Sequence, residues 1–398
     1  MDSLSFSCPP KCIAGAAAPD HSKRHGDAFF RDVDVCPDGS CLLATGDDRS
    51  LSLFTTPSIP SEPSPASVGP YWTHLPSDAL LSTAWYPGAS SSDPAMFAFA
   101  AAVKDHPVTL LDGFSRTVRA SYPIVDHVER FVAPHSMDFS PDGTSLYCGF
   151  DNAIEIFDVS APGAAGTRLS TTPTRSSKSG QKGIISALAF SAGSTSTSPF
   201  LAAGSFGGTV GLYDPASPTP MFDLLYPTQR GGVTQLLFNP FSPHLLFVAS
   251  RQSSSLDVFD LRNTKSIVSH GKMKRSARTN QRMRFSIDPT GTWLAAGDQN
   301  GDVSIFSAQP LPDQLEPVTT FSLSNEPLGA TVFHPSLPVL ITCSGTRHFK
   351  QRRKQQRRGP DKESSDETSS SSESDDGEDD NRENEGKRKP SLQFWELS

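Results

Sequence analysis

One short pattern recurs seven times along this chain and limits its possible folds more than any other feature. It reads apolar–x–apolar–aromatic, with a leucine once in the aromatic place, and an acid usually follows. The copies are Leu51-Ser-Leu53-Phe54, Val108-Thr-Leu110-Leu111, Ile154-Glu-Ile156-Phe157 and Val210-Gly-Leu212-Tyr213. Leu256-Asp-Val258-Phe259, Val303-Ser-Ile305-Phe306 and Leu392-Gln-Phe394-Trp395 complete the series. The fourth positions are separated by 57, 46, 56, 46, 47 and 89 residues. The last step contains a low-complexity stretch of 42 residues, 350–391, and without it the step is 47. The two steps near 56 hold Pro/Ser-rich connections at 57–70 and 161–179. Units repeating at this length cannot bury an apolar face alone, so each must stack on its neighbours.

The local chemistry identifies the unit as a small antiparallel sheet. Turns such as Cys36-Pro-Asp-Gly39, Ser140-Pro-Asp-Gly143 and Asp288-Pro-Thr-Gly291 precede short apolar strands. Proline presets the first turn position and glycine accepts positive φ. A period in the mid-forties with four strands per unit implies an all-β fold, a seven-bladed WD40-type β-propeller. After Trp395 only three residues remain, so the last blade needs an outer strand from elsewhere, and residues 4–13 can supply it. The expected organisation is an N-terminal segment at 1–28 that supplies the closing strand and propeller blades at 29–349. A disordered insertion at 350–391 and a final strand at 392–398 follow.

The chain has 398 residues and a formal charge of −8, but that charge is unevenly placed. Residues 361–386 hold twelve acids against two bases, whereas 350–358 holds six bases and 387–389 three. The net acidity therefore hides local basic clusters and excludes no anionic partner. The six cysteines are scattered without zinc-site spacing, so buried free thiols in a reducing compartment are expected, with no metal and no cofactor. No apolar run approaches a membrane span and no signal pattern opens the chain, so a soluble, intracellular, monomeric protein is expected. No phosphate-binding glycine loop, nucleophile elbow or zinc-binding His pair is present, and a binding scaffold is expected, not an enzyme. His135, Ser136 and Asp138 stand close in sequence, but such a set at a strand entry is expected to tie loop to blade.

In this fold, the loops entering each first strand and the loops between second and third strands share one face. Sorting bases by that rule puts most of them there. The entering loops carry Arg130, His135, Arg175, Lys178, Lys182, Arg230, Lys272, Lys274, Arg275, Arg278 and Arg282, and the second-to-third-strand loops add Arg49, Lys104, Arg251, Arg347 and the basic run at 350–358. The first-to-second-strand turns on the opposite face carry no Lys or Arg. A basic face on an acidic protein is the footprint of a phosphate-bearing partner. In the segment Arg278-Thr-Asn280-Gln281-Arg282, the amides Asn280 and Gln281 add groups able to read exposed base edges, as single-stranded RNA loops require. The candidate RNA-binding residues are Arg130, Lys178, Lys182, Arg230, Lys274, Arg275, Arg278, Asn280, Gln281, Arg282 and Arg284.

Residues 350–391 turn from basic to acidic and Ser-rich, then basic again, a composition that cannot form a core. Ser364, Ser370 and Ser372 each have an acid three residues on, the spacing acidophilic kinases favour. Phosphorylated, this stretch would compete with RNA for the basic face. A tolerated loop extension accounts for it equally well, and the basic runs also fit nuclear-import signals.

Several stretches go beyond generic propeller character. They include Ala133-Pro-His135-Ser136 with Cys148-Gly149-Phe150, Gly183-Ile-Ile-Ser-Ala-Leu-Ala-Phe190 with Gly204-Ser-Phe206-Gly207, and Thr279-Asn280-Gln281-Arg282 leading into Asp288-Pro-Thr-Gly291. With His334-Pro-Ser-Leu-Pro338 and the acidic interruption before Leu392, they resemble the telomerase Cajal body protein family, in collinear order from about Phe29 to Trp395. The resemblance implies recognition of a short box in the terminal loop of small nuclear RNAs of box H/ACA type, telomerase RNA among them. It implies delivery of those particles to Cajal bodies in the nucleus, association with dyskerin-containing RNP and the telomerase RNP, and folding on the cytosolic chaperonin. The long N-terminal extension of the better-known members is expected to have no counterpart here, which puts docking of partners through that region in question. The alternative reading is a protein–protein scaffold in a nuclear complex without direct RNA binding.

Overall fold

The computed structural model describes residues 4, 6–18, 29–59, 65–174, 177, 179–192, 199–217, 221–228, 231–273, 275, 279–347 and 391–397. Among these residues the chain forms seven sheets, each with four antiparallel strands, arranged as a β-propeller, with no helix. Blade 1 comprises Phe30–Val35, Cys41–Gly46, Leu51–Thr55 and Trp72–His74. Blade 2 comprises Leu80–Trp85, Ala98–Val103, Val108–Asp112 and Val118–Tyr122, and blade 3 Ser136–Phe139, Ser145–Phe150, Ala153–Asp158 and Thr167–Ser170. Blade 4 holds Ile185–Phe190, Leu201–Ser205, Val210–Tyr213 and Met221–Leu225, and blade 5 Val233–Phe238, Leu245–Ser250, Ser255–Asp260 and Asn263–Lys272. Blade 6 holds Phe285–Ile287, Trp293–Gly297, Asp302–Ser307 and Pro317–Ser322. Blade 7 joins Leu328–Phe333, Val339–Ser344 and Leu392–Glu396 to an outer strand from the other end of the chain, Lys11–Ala16. That strand lies a few residues further along than the 4–13 stretch read from the sequence. Most of the charged insertion, 350–390, lies outside the described residues.

The repeated pattern has a packing cause. Buried apolar side chains of the described residues fall into seven clusters, one in each wedge between neighbouring blades. In every third strand the first and third positions of the pattern face the following blade and the fourth faces the preceding one. Leu51 and Leu53 pack in the wedge with blade 2 while Phe54 packs toward blade 7. Val303 and Ile305 face blade 7 while Phe306 faces blade 5. The period of two is the alternation of a strand buried on both faces. The aromatic fourth position supplies bulk at the outer part of a wedge that widens away from the axis.

The innermost strands are also stitched to one another. Arg31 Nη2 donates to Leu80 O at 2.9 Å, Ser82 Oγ to Pro134 O at 3.1 Å, and Ser136 Oγ to Ile185 O at 2.9 Å. Ser186 Oγ donates to Val233 O at 2.5 Å, Gln235 Nε2 to Phe285 O at 2.8 Å, and Phe333 N to Ser286 Oγ at 3.0 Å. The last seam, between blades 7 and 1, is held on the turn side by His334, whose Nε2–H donates to Gly39 O at 2.8 Å. Its Nδ1 accepts from Ser336 N at 3.1 Å and Leu337 N at 2.9 Å, which fixes the neutral tautomer. Gly39 has φ +77°, and a Cβ there would lie 2.4 Å from the His334 ring, so both the turn and the seam require glycine.

Candidate nucleic-acid interface

The loops entering the first strands and those between second and third strands converge at one end of the axis, around a cavity of about 680 Å³. Its walls combine four guanidinium groups (Arg31, Arg282, Arg284, Arg347), two carboxylates (Asp32, Asp47), the amides Asn280 and Gln281, and an apolar side at Leu80 and Leu81. His135 and Phe29 complete the rim.

The cations divide into those engaged in holding the fold and those left facing solvent. Arg284 stands just before the first strand of blade 6, where its backbone pairs with Gly329 and Thr331 of blade 7. Its side chain crosses to blade 1, where Nη1 donates to Asp32 Oδ1 at 3.0 Å and to Val33 O at 3.4 Å. The crossing is close because Gly329 has no side chain: a Cβ there would lie 2.3 Å from Arg31 O. The Asp32 charge, with Asp34 adding to it, holds the Arg284 pKa above the ordinary guanidinium value against the opposing effect of burial. Arg275 turns inward. Its Nε–H donates to Gly297 O at 2.9 Å, while Nη2 is buried without a hydrogen-bond partner among the described residues. Burial pushes its pKa down to about 10, with Asp298 opposing the shift. Arg347 grips Asp47 through two bonds, at 2.7 and 2.9 Å, and Arg130 pairs with Asp126 at 3.2 Å.

Lys182, Arg251 and Arg282 are different: each is exposed and has no carboxylate partner within salt-bridge distance among the described residues. Arg282 stands in the cavity mouth, in contact with solvent yet surrounded by protein. That partial desolvation lowers its pKa. Asp32 opposes the shift, and Arg31, Arg284 and Arg251 add to it. Beside it the His135 pKa is also lowered, first by burial and then by Arg282, and the ring lies edge-on to Phe206, centroids 6.2 Å apart. Asn280 accepts from Gln252 Nε2 at 2.7 Å, and Gln281 Nε2 donates to Gly345 O at 3.1 Å, so both amides are fixed at the rim.

Of the candidate residues, Asn280, Gln281, Arg282 and Arg284 thus come together at the axial cavity. Arg275 sits behind them, and Arg130 lies on the separate loop between blades 2 and 3. Lys178, Arg230, Lys274 and Arg278 lie outside the described residues, as do Ser364, Ser370 and Ser372. The cavity residues missed include Arg31 and Asp32. A readable signal was present: Arg31, Asp32 and Asp34 put three charges in a strand that otherwise packs against a core, a costly placement unless the charges are paired or used. Ser136, beside His135, is committed to Ile185 O and takes no part in a catalytic arrangement.

Deeper in the ring, Asp34 and Asp138 occupy equivalent places, each two residues before the proline-containing turn that ends an innermost strand. Burial pushes Asp34 up to about 6, with Arg284 opposing and Asp32 reinforcing the rise. Asp138 is pushed up to about 7 by burial, eased by the backbone N–H groups of Phe139 and Phe190 and reinforced by the Asp34 charge.

No family model matches the chain. It is 33% identical over 358 residues to the telomerase Cajal body protein 1 of Mesocricetus auratus, covering 88% of this chain and 64% of that protein. It is 32% identical over 355 residues to the human protein of the same name, covering 87% and 62%. A guanine nucleotide-binding protein negative regulator 1 from Schizosaccharomyces pombe is 27% identical over 340 residues, covering 82% of each chain. The chain thus spans a little under two thirds of the length of its Cajal body relatives. Over nearly nine tenths of its own length, through all seven blades, the chain is similar to the telomerase Cajal body proteins.

Proposed function

We propose that this propeller is a non-catalytic scaffold that binds the terminal loops of box H/ACA small Cajal-body RNAs through its basic face. It delivers their particles to Cajal bodies in the nucleus, with the dyskerin-containing RNP and the telomerase RNP among its partners and the cytosolic chaperonin as its folding aid. The observation that carries the reading is the set of unpaired cations, Lys182, Arg251 and Arg282, on the face that holds the axial cavity. Cations held by carboxylates have little left to offer a phosphate, whereas these three are free to release counterions from a single strand. The names of the mammalian relatives support the destination. Crosslinking the tagged protein in its own cells and sequencing the attached RNA tests the reading. Enrichment of box H/ACA terminal loops is expected; background RNA with a reproducible set of proteins would overturn it.

A second reading, a protein–protein scaffold without direct RNA binding, draws on the fission yeast relative, whose name describes a regulator of a guanine nucleotide-binding protein. Salt separates the two. RNA affinity falls steeply and log-linearly with salt, whereas association through apolar contacts changes little.

A further inference from the structure

We infer that the axial cavity is a base-specific subsite that takes one unpaired guanine from a single-stranded RNA loop, read by Asp32; this deepens the RNA-binding reading and rests on it. The cavity is built in three zones that match the three parts of a nucleotide. At the mouth, Arg282 and, beside it, Arg251 carry unpaired charge where a phosphate would pass. On one wall, Leu80 and Leu81 offer an apolar surface, and the His135 ring, kept neutral by its lowered pKa, stands at the rim. Stacking on such surfaces is tolerant of sequence and holds any base.

Selection comes from the third zone. Asp32 Oδ1 is occupied by Val33 N at 2.9 Å and by Arg284 Nη1 at 3.0 Å. Its Oδ2 has no hydrogen-bond partner among the described residues, and the side chain retains 40% of its exposure, on the cavity wall. A carboxylate accepts hydrogen bonds and cannot donate. Of the four RNA bases, only guanine presents two adjacent donors, N1–H and the N2 amino group, on its pairing edge. Adenine and cytosine each present an acceptor beside their amino group, and uracil presents a single N–H between two carbonyls. The bonds from Arg284 Nη1 and Val33 N fix the orientation of the Asp32 carboxylate, so the acceptor is in place before RNA arrives. Guanidinium and amide groups nearby, Arg31, Asn280 and Gln281, can meet the O6 and N7 acceptors of the same base.

The test leaves the protein unaltered in its first arm. Four hairpin RNAs carry a seven-uridine terminal loop whose central residue is guanosine, inosine, adenosine or uridine, and affinities are read by fluorescence anisotropy at two salt concentrations. Inosine lacks only the N2 amino group, and its loop is expected to bind about tenfold more weakly than the guanosine loop, with adenosine and uridine at least as weak. In Asp32→Asn, checked for folding by thermal melting, the guanosine-to-inosine ratio is expected to fall to near one. Arg282→Ala should weaken all four loops alike and keep the ratio. Equal binding of all four loops by the unaltered protein overturns the guanine subsite while the RNA-binding reading stands. Absence of binding to any loop at low salt overturns both.

Discussion

Arg284 and Asp32 are 252 positions apart in the chain, yet their side chains meet at 3.0 Å across the junction of blades 6, 7 and 1. Both keep a third or more of their surface. The pair therefore contributes less than a fully desolvated one, whose disruption costs about 3–5 kcal/mol. Arg284→Ala also leaves Asp32 and Asp34 repelling each other without a counter-charge. A loss of about 1–2 kcal/mol is expected, read as a lower urea midpoint. An unchanged midpoint would show that the contact does not hold the ring.

On the proposed reading, RNA contact falls to a different set of cations from those that hold the ring. Replacing Lys182, Arg251 and Arg282 together with Ala is expected to leave the melting temperature within experimental spread. The slope of log K against log salt should become shallower by about 2, since each single-strand phosphate contact contributes about 0.7. Replacing Arg275 and Arg284 instead should lower the melting temperature, because one is buried behind the rim and the other bridges blades. If the triple variant keeps the full salt slope, these cations do not touch the phosphates.

Asp138 makes the ring sensitive to pH in a direction that can be worked out. Its folded pKa is raised to about 7 from an ordinary carboxyl value, so between about pH 4 and 7 the folded state binds more protons than the unfolded one. Stability from this group is complete below pH 4 and is lost as pH rises through 7. Asp138→Asn keeps a carbonyl for the Phe139 and Phe190 N–H groups and cannot ionise. It is expected to be more stable than the parent at pH 8 by about 2–4 kcal/mol, a pKa unit being worth about 1.4 kcal/mol and the rise running from about 4 to about 7, and equal to it at pH 4. Parallel stability curves for the two proteins would refute the assignment.

His334 works in the opposite direction. Its folded pKa is lowered, chiefly by burial, so as pH falls below about 6.5 the unfolded chain takes up a proton that the folded one resists. Protonation would also end the acceptance of two backbone N–H groups at Nδ1. The stability contribution is therefore present above that pH and declines below it. His334→Ala should cost about 1–3 kcal/mol at pH 7.5 through the unpaired groups it leaves, and should flatten the decline between pH 7 and 5. Chemical denaturation at several pH values checks both.

The sequence showed the blades because the third strand of each is buried on both sides, and burial imposes a pattern that survives in the letters. The outer strands were much harder to read. Val118–Tyr122 buries only Tyr122 fully and Thr167–Ser170 buries none of its residues fully, so little constrains their composition. Two further edge strands, Ala66–Ser67 on blade 7 and Gln314–Leu315 on blade 5, are two residues long and pair in parallel with distant segments, which no local signal announces. At the candidate interface, charge placement pointed to the face that holds the axial cavity but could not tell free cations from engaged ones. The partners Asp32 and Asp47 lie far away in sequence from Arg284 and Arg347, so loop position alone gave Arg275, Arg282 and Arg284 one common role.

Blade 7 carries a consequence for how the molecule is made. Its strand Leu392–Glu396 lies between Val339–Ser344 and Lys11–Ala16 and pairs with both. At the usual 5–20 residues per second, the ribosome takes roughly 20 to 75 seconds to pass from the Lys11–Ala16 strand to its partner. Throughout that interval the early strand and the open edge of blade 1 have nothing to close against, and both remain templates for pairing with other nascent chains. A fold that completes only when late residues reach early ones gains from a short interval between them, or from an enclosure that keeps neighbours away until the ring can shut.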